Sequence, residues 1–425
     1  MKKVLIVTYY WPPSGGSGVQ RWLKFVKYLP KYGVEPHVYT PLNPDFSVKD
    51  ETLVRDIPEE AVIVKRKIRE PYSLFRTFMG RKKAQGVNFG MTNSNKKGLK
   101  YKIAWWVRSN LFIPDPRVWW RKPSAKFLKN YIVNNNITTI ITTGPPHSMH
   151  LIGLSIKQYF NSEIEWIADF RDPWTNIDFF HELDLTNRSL KKHKNLEKQV
   201  LTAADKVITI GNSLKQELEN IGALNVEVVT NGYDVEEIKN QERNEVFTLS
   251  HIGLLSKARN FPAFWDAILK FKNEVTQEFR VQVVGSFDQQ VKIDVESRGI
   301  EKNVVFTGIV NHKEAINYQY QSSVLLLFVN DSPNAKGILT GKFFEYMASK
   351  NPILALGPED GEVAKVLKET KSGVLADFHQ VNEIFNCLTL LYNNFQKGKR
   401  TVEGEGVKQY SRENLTKKLV EIIEK

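Results

Sequence analysis

Four segments of the chain combine glycine, charged residues or histidine directly after a short apolar run, the position at which ligands bind in parallel α/β sheets. The first reads Gly15-Gly16-Ser17-Gly18 and precedes a helical pattern. Glycines there let the backbone approach a ligand, and a helix N-terminus offers about half a positive charge to an anion. The segment matches neither G-x-G-x-x-G nor a Walker motif, so an anion-binding turn and a plain tight turn are the two interpretations.

The second segment starts at Asp169 and includes Arg171 and Asp172, directly after the apolar run that ends at Ala168. A guanidinium such as that of Arg171 binds phosphate or carboxylate in bidentate fashion. The alternative is a structural Arg171–Asp172 ion pair that holds the loop, and both interpretations stay open. His147 follows another predicted strand and is a further candidate, although a lone histidine is more often structural than catalytic.

The third segment, His251 to Asn260, lies at the first predicted strand-to-helix turn of the second half of the chain. Gly253 allows close backbone approach, and Lys257 and Arg259 add two cations, so the turn is a candidate polyanion site. The alternative is that these two cations are only surface residues.

The fourth segment begins a predicted helix at Gly341 and Lys342, with Glu345 one turn further on. Backbone N–H groups and an ammonium at a helix start suit a diphosphate, and a carboxylate one turn on suits ribose hydroxyls. The alternative is a Lys342–Glu345 pair at i,i+3, which stabilises a helix by about 0.2–0.5 kcal/mol.

The order of the predicted elements places these segments at strand ends in two α/β halves. Strand-length apolar runs, such as Arg280–Val284, Val324–Phe328 and Ile353–Leu356, alternate with helical stretches such as Ser148–Phe160. This alternation implies parallel sheets with right-handed crossovers. We predict an amino-terminal domain over 1–235, a linker over 236–246, a carboxy-terminal domain over 247–405 and a final amphipathic helix within 406–425. We expect the two domains to face each other across a cleft lined by the carboxyl ends of their strands.

The composition is that of a globular protein. Of 425 residues, 41% are hydrophobic and 25% are charged, which excludes a disordered chain, a collagen-like fibre and a coiled-coil rod. A single cysteine, Cys387, forms no intramolecular disulfide and fits a reducing compartment. The apolar run Val4–Val7 is too short for a signal peptide, and no run approaches the ~18 apolar residues of a spanning helix. We therefore expect a cytoplasmic protein whose membrane contact, if any, is peripheral.

Positive charge is concentrated in one segment. The net charge is +13, whereas residues 65–130 contain 18 Lys and Arg against two acids, or +16, which leaves −3 for the rest of the chain. The same segment is rich in Trp, Tyr and Phe, a mixture that suits an anionic lipid surface, where each cation contributes about 1 kcal/mol. Nucleic-acid binding and a solvated face over a few core aromatics are the alternatives.

Taken together, these residues resemble glycosyltransferase family 4, the retaining sugar-nucleotide transferases with the GT-B fold. The similarity runs nearly end to end. It is carried by Pro12-Pro13-Ser14-Gly15-Gly16, by Asp169 to Trp174, by the Thr230 to Asp234 turn, and by the Lys342 to Ala348 helix that leads into Asn351-Pro352-Ile353. The resemblance implies a nucleoside-diphosphate sugar bound mainly by the second domain, an acceptor bound on the first, and no metal requirement.

The resemblance also assigns expected roles. The catalytic candidates are Arg171, Asp172, Arg259 and Lys342. The donor-binding candidates are Gly15, Gly16, Gly253, Arg259, Gly341, Lys342 and Glu345. The acceptor-binding candidates are His147, Asp169 and Arg171. No metal ligand is expected.

The chain departs from the family's pattern at several positions. Leu254 replaces an arginine, Arg259 stands in the place of a lysine, Gly337 replaces the first of two paired glutamates, and Arg171 replaces a histidine. Glu345 is the second glutamate of that pair. The usual acid and part of the usual cation set are therefore replaced.

The function that the resemblance implies is metal-independent glycosyl transfer with retention, from a nucleoside-diphosphate sugar to a glycan or lipid-linked acceptor, in cell-surface polysaccharide synthesis. Arg259, Lys342 and helix N-termini would offset the charge on the departing diphosphate. Residues 65–130 would contact the inner face of an anionic membrane, and no nucleic-acid partner is expected. A sugar-nucleotide epimerase of the same fold and a non-catalytic anion- or lipid-binding protein are the alternatives.

Overall fold

The computed structural model of the protein describes residues 1–45, 49–70, 99–177, 180, 183–234, 243–402 and 404–425. The strands in this part of the chain are β1 (Lys2–Val7), β2 (Val34–Pro41), β3 (Val62–Arg66), β4 (Thr139–Gly144), β5 (Glu165–Phe170), β6 (Lys206–Thr209), β7 (Val226–Val228), β8 (Phe247–Ile252), β9 (Phe279–Val284), β10 (Val304–Gly308), β11 (Val324–Phe328), β12 (Ile353–Leu356) and β13 (Gly373–Ala376). The helices there are α1 (Ser17–Tyr28), α2 (Leu99–Leu111), α3 (Arg121–Asn135), α4 (Ser148–Phe160), α5 (Asn187–Ala203), α6 (Asn212–Ile221), α7 (Pro262–Glu274), α8 (Gln289–Glu296), α9 (His312–Gln321), α10 (Gly341–Ala348), α11 (Glu362–Thr370), α12 (Val381–Gln396) and α13 (Arg412–Glu424).

The described strands form two parallel sheets. The first has the order β3-β2-β1-β4-β5-β6-β7 and the second the order β10-β9-β8-β11-β12-β13. In both sheets the strand order reverses beside the first strand of the unit, β1 or β8, as in a doubly wound fold. The predicted fold class, α/β with two Rossmann-like parallel sheets, is confirmed.

The central strands are buried along most of their length, because helices cover both faces of each sheet. In β1, Val4, Leu5, Ile6 and Val7 are fully buried, and all five residues of β11 are buried as well. Strands of this kind show no alternation of polar and apolar residues, which is why their short apolar runs could be identified in the sequence.

The chain divides into two compact units. The first contains residues 1–230 and 412–425, and the second contains residues 231–411. The chain thus leaves the first unit after Thr230, earlier than the predicted domain end at residue 235, and returns to it at Arg412. Most of the predicted linker, residues 235–242, lies outside the described residues.

The last helix, α13, packs against α1 in the first unit. Leu415, Leu419 and Ile423 are buried in a cluster that also contains Val19 and Trp22. Two lysines of the first sheet bind the end of α13, since Nζ of Lys2 donates to the Ile423 carbonyl oxygen at 2.6 Å and Nζ of Lys206 to that of Ile422 at 2.7 Å. Cations are favourable at a helix C-terminus, where carbonyl groups have no partner within the helix.

The basic, aromatic segment 65–130 is only partly described, because residues 71–98 lie outside the described part. Its second half belongs to the first unit, where the Trp120 ring is buried and stacks on Tyr39 with ring centroids 5.0 Å apart. Some of its aromatic residues are therefore core residues, which agrees with the alternative of a solvated face over a few core aromatics. None of the helices described is both long and apolar enough to cross a bilayer.

Candidate functional site

A pocket of about 380 Å³ lies at the carboxyl ends of β8, β9 and β10 in the second unit. Its wall contains three residues expected to bind a donor, Gly253, Lys342 and Glu345. They come from two places about 90 residues apart in the chain. They meet because β8 ends and α10 begins at the same edge of the sheet. Every residue that lines the pocket belongs to the second unit.

The Lys342 ammonium lies inside this pocket. Its Nζ donates a hydrogen bond to the Ile252 carbonyl oxygen, at the end of β8, at 2.7 Å. Within the described residues it forms no ion pair. Burial and the nearby charge of Arg259 lower the pKa of Lys342, and the carboxylate of Glu345 opposes them. A partly desolvated cation without a neutralising carboxylate favours the binding of an anion.

Gly253 makes room for this ammonium. Its backbone φ is +123°, and a Cβ atom built there would overlap Nζ of Lys342. A second glycine, Gly285, supports the first, because its φ is +125° and a Cβ there would collide with the Gly253 carbonyl oxygen. Both positions therefore require glycine, one for the lysine side chain and the other for the backbone behind it.

Arg259 is held beside the pocket and is not among the residues that line it. Its Nε donates to Asn330 Oδ1 at 2.6 Å, and its Nη1 to the Leu254 carbonyl oxygen at 3.4 Å. Its charge lowers the pKa of Lys342, so the two cations act on each other. The structure thus brings the two cations near one another, with Lys342 inside the pocket and Arg259 at its side.

The beginning of α10 completes the pocket. The helix starts at Gly341 without a side-chain cap from Thr340, the N-cap residue, and in its first turn the Phe343 N–H donates to the Thr340 carbonyl oxygen at 3.2 Å. Glu345 is exposed one turn further on and lines the pocket. The N-terminus of α10, the ammonium and the carboxylate thus border one space.

Two residues of this site were not among the candidates predicted from the sequence. The Tyr346 hydroxyl donates to the Ile252 carbonyl oxygen and accepts from the Ile252 backbone N–H at 3.0 Å, which fixes the end of β8 against α10. Gly285 directly follows a predicted strand, as Gly253 does. A glycine directly after a strand is the sequence signal that could have identified Gly285. His251, at the end of the same strand, is buried against Phe328, and burial lowers its pKa to about 4.

In the first unit, Asp169 makes contacts that hold the fold together, and its expected acceptor-binding role remains a prediction. Its carboxylate is fully buried and pairs with the equally buried guanidinium of Arg21 at 2.9 Å. It also accepts hydrogen bonds from Trp22 Nε1 at 2.6 Å and from Thr143 Oγ1 at 2.8 Å. These contacts involve both carboxylate oxygens and join α1 to the ends of β4 and β5.

Arg171 and Asp172 form an ion pair with each other, with Nε and Oδ2 3.2 Å apart. This is the loop-holding pair that was one of the two interpretations of the sequence. The Arg171 guanidinium also donates to the Gly18 carbonyl oxygen at 2.8 Å and to that of Pro145 at 3.2 Å. Arg171 therefore connects the glycine-rich turn to the end of β4. Its expected catalytic and acceptor-binding roles remain predictions.

Gly15 and Gly16 lie in the turn before α1, where Gly16 is exposed and has a φ of +92°. The turn belongs to the first unit, whereas the Lys342 pocket is formed by the second. Donor binding by these two glycines therefore remains a prediction.

His147 is buried in the first unit, and its expected acceptor-binding role remains a prediction. Its ring stacks on Trp174 with centroids 4.8 Å apart and lies 5.7 Å from the His150 ring. Burial, with the charges of neighbouring groups, lowers the pKa of His147 well below its ordinary range. Burial likewise lowers the pKa of His150 to about 3. These imidazoles are neutral core residues of the first unit.

Comparison with known proteins supports these observations at the level of family and fold. The sequence model of one family, described as Glycosyl transferases group 1, matches residues 246–394, which include the whole Lys342 pocket. No curated protein sequence matches this chain.

Several solved structures share the fold. The sucrose-phosphate synthase of Thermosynechococcus elongatus has a TM-score of 0.62 and 12% sequence identity, over 100% of this chain and 98% of that one. A glycosyltransferase of Rickettsia africae has a TM-score of 0.62 and 14% identity, over 99% and 97% of the two chains. The Anabaena protein HepE, solved in complex with UDP, has a TM-score of 0.60 and 12% identity over all of both chains. The predicted GT-B fold is confirmed, and the second unit of this chain is similar to the group 1 glycosyl transferases.

Proposed function

We propose that this protein is a metal-independent glycosyltransferase of family 4 type, which moves a sugar from a nucleoside-diphosphate sugar to a glycan or lipid-linked acceptor with retention. The observation that carries the proposal is the Lys342 ammonium, held over Gly253 at the start of α10 without a carboxylate partner in the described residues. The family match over 246–394 and the UDP bound to the Anabaena protein of the same fold support a nucleotide-sugar donor.

The chemistry follows from where charge develops. The bond between sugar C1 and the β-phosphate oxygen breaks, and negative charge grows on the departing diphosphate. The acceptor oxygen bonds to C1 on the same face, and its proton passes to an oxygen of the leaving phosphate. Lys342, the N–H groups at the start of α10 and the nearby charge of Arg259 stabilise the leaving group. Interactions of this kind, preorganised where charge develops, each account for about 10²–10³ in rate.

The pocket also suits the rest of a nucleotide. Glu345, exposed at its edge, is placed to accept hydrogen bonds from ribose hydroxyls. Ile309 and Val310, in the loop after β10, add apolar surface to the wall, and Ile309 is 84% exposed. An apolar rim beside a cation and a carboxylate matches the three parts of a nucleoside diphosphate: base, diphosphate and ribose.

A thermal-shift panel of UDP-, GDP- and dTDP-sugars tests the donor. A ligand at 100 times its Kd adds about 2.7 kcal/mol to the free energy of unfolding. We expect Lys342→Ala to lower kcat about 10²–10³-fold with the best donor while the thermal transition of the free protein survives. An unchanged kcat would remove Lys342 from the mechanism.

Two further measurements separate the proposal from its alternatives. The anomeric configuration of the product, read by NMR, distinguishes retention from inversion, and activity that persists in a chelator supports metal independence. Conversion of the donor into an isomeric sugar nucleotide without acceptor would identify an epimerase instead. Absence of any nucleotide preference would favour the non-catalytic anion-binding alternative.

We further propose that the enzyme works on the cytoplasmic face of a membrane, in cell-surface polysaccharide synthesis. In the described part of 65–130, four large apolar side chains are exposed, namely Ile103, Trp106, Leu111 and Trp119. The exposed lysines there are Lys65, Lys67, Lys102, Lys122 and Lys126. Aromatic residues beside cations suit an anionic lipid surface.

Vesicle flotation tests this contact. The doubly substituted variant Trp106→Ser/Trp119→Ser should lose its association with vesicles that contain anionic lipid. Tyr159→Ser is the matched control, because Tyr159 is an exposed aromatic residue of the same unit outside the segment. Equal flotation of neutral and anionic vesicles would refute the proposal.

A further inference from the structure

A second hollow in the carboxy-terminal unit lies at the opposite edge of the sheet from Lys342. It has a volume of about 860 Å³ and is lined by the entry to β8, the beginning of β9, the end of α9 and the loop after α12. Three of its lining residues are arginines, Arg243, Arg280 and Arg400. We call it the arginine hollow.

The strands separate the arginine hollow from the Lys342 pocket. Phe247 pairs with Phe279 at the amino end of β8 and β9, and Ile252 pairs with Val284 at the carboxyl end. The hollow adjoins the first pair and the pocket adjoins the second, so about 16 Å of strand lies between them. A ligand in the hollow is therefore distinct from a donor in the Lys342 pocket.

Two of the guanidinium groups are fixed in place. Nη1 of Arg243 donates to the Arg400 carbonyl oxygen at 2.7 Å, and the Arg400 guanidinium lies over the Phe395 ring, 4.7 Å from its centroid. Arg280 occupies the one exposed position of β9. The arginines come from three separate segments of the chain and still converge on one space.

The hollow has an excess of positive charge. Guanidinium groups remain protonated in proteins, so among the described lining residues three arginines against one carboxylate, Glu245, leave a net charge of about +2. Within that part of the chain none of the three arginines forms an ion pair with a carboxylate. Burial and the charge of Arg400 lower the pKa of Arg243.

We infer that the arginine hollow is a binding site for a doubly charged phosphate-type anion, such as pyrophosphate or a small phosphomonoester. Guanidinium groups bind phosphate oxygens in bidentate fashion, and a dianion neutralises the charge excess. The volume is larger than a single phosphate needs, so it leaves room for an organic group attached to the phosphate. This inference does not depend on the proposed glycosyl transfer.

Calorimetric titration with pyrophosphate at constant ionic strength tests the site. The full-length Lys342→Ala protein serves as the background, so that binding in the Lys342 pocket does not enter the signal. In this background we expect pyrophosphate still to bind. Adding Arg280→Ala should weaken binding about tenfold or more, because charge-assisted hydrogen bonds to the anion are lost.

The matched control is Lys292→Ala in the same background. Lys292 is an exposed cation on α8 of the same unit and does not line the hollow, so this change removes one charge without touching the site. Truncation of the exposed Arg280 side chain leaves the core intact, which circular dichroism verifies. Absence of pyrophosphate binding in the Lys342→Ala protein would overturn the inference. An Arg280→Ala effect no larger than that of Lys292→Ala would overturn it as well.

Discussion

At the scale of single residues, one ammonium group determines what the carboxy-terminal pocket can bind. Lys342 reaches across the end of β8 and lies where any side chain at position 253 would have to be. Lys342 and Gly253 therefore act together, because glycine at position 253 leaves the space that the ammonium occupies. Two predictions belong to this pair.

The first concerns alkaline pH. Because burial and Arg259 lower the pKa of Lys342, the ammonium loses its proton below the ordinary lysine pKa of about 10.4. An anionic ligand binds the protonated form, so the affinity for UDP should fall as pH rises from 7.5 towards 10. The Kd for UDP, measured across this range, should stay flat in Lys342→Arg, whose guanidinium does not titrate there. Parallel pH profiles in both proteins would contradict this role.

The second prediction concerns Gly253→Ala. The new methyl group displaces the ammonium and strains a backbone with a φ of +123°, so we expect the affinity for the donor to fall about tenfold or more. Gly299→Ala is the control, since Gly299 also has a positive φ, of +63°, but a Cβ there meets no atom within 4 Å. If Gly253→Ala weakens donor binding no more than Gly299→Ala does, displacement of the lysine is excluded as the cause.

At the scale of elements, the polar residues at strand ends serve two different purposes. In the second unit the loop after β8 and the start of α10 hold open a pocket. In the first unit the charged residues after β5 join elements together, because Asp169 binds Arg21 of α1 and Arg171 binds the backbone of the glycine-rich turn. The same strand-end position thus serves binding in one unit and stability in the other.

The stability role of Asp169 predicts a large effect of its removal. Asp169→Ala leaves the fully buried Arg21 guanidinium without a counter-charge, which destabilises a protein by about 3–5 kcal/mol. Denaturant unfolding measures the loss. Asp172→Ala is the control, because that carboxylate is 41% exposed and its ion pair with Arg171 contributes little. Similar losses in the two variants would contradict the assignment.

At the scale of the whole molecule, buried neutral histidines make stability depend on pH. Burial lowers the pKa to about 3 for His150 and to about 4 for His193 and His251. The unfolded chain binds protons at these rings below pH about 6.5, whereas the folded chain does not until pH 3–4. Acidification in this window therefore favours unfolding.

We expect the thermal transition to move down steadily between pH 7 and pH 5, with about 1.4 kcal/mol per pH unit from each such histidine. The raised pKa of the buried Glu197 opposes part of the trend at the acid end. His150→Asn should lower stability at pH 7 and also make its pH dependence shallower. Calorimetry of both proteins at pH 7, 6 and 5 measures this difference, and equal slopes would exclude His150 as a source.

Much of the fold was predictable because parallel α/β proteins carry their pattern locally. The predicted strands Val324–Phe328 and Ile353–Leu356 coincide with β11 and β12, and the predicted helix 148–160 coincides with α4. Helix α12 was not predicted, although Ile384, Leu388 and Leu391 recur at helical spacing along it. Strand β13 is as short as β12 but begins with glycine and is only partly buried, so its sequence does not stand out from a loop.

By itself the sequence determined that the chain is α/β, that it has two halves, and that glycine and cations follow its strands, because periodicity and strand-end position are local properties. Only the tertiary structure decided which of those charges remain available to a ligand. Lys342 and Gly253 are far apart in the chain and meet through the sheet, whereas Asp169 meets Arg21 and is neutralised. A charge acts on a ligand or on its own protein according to what lies within a few ångströms of it, and that is set by packing between distant segments.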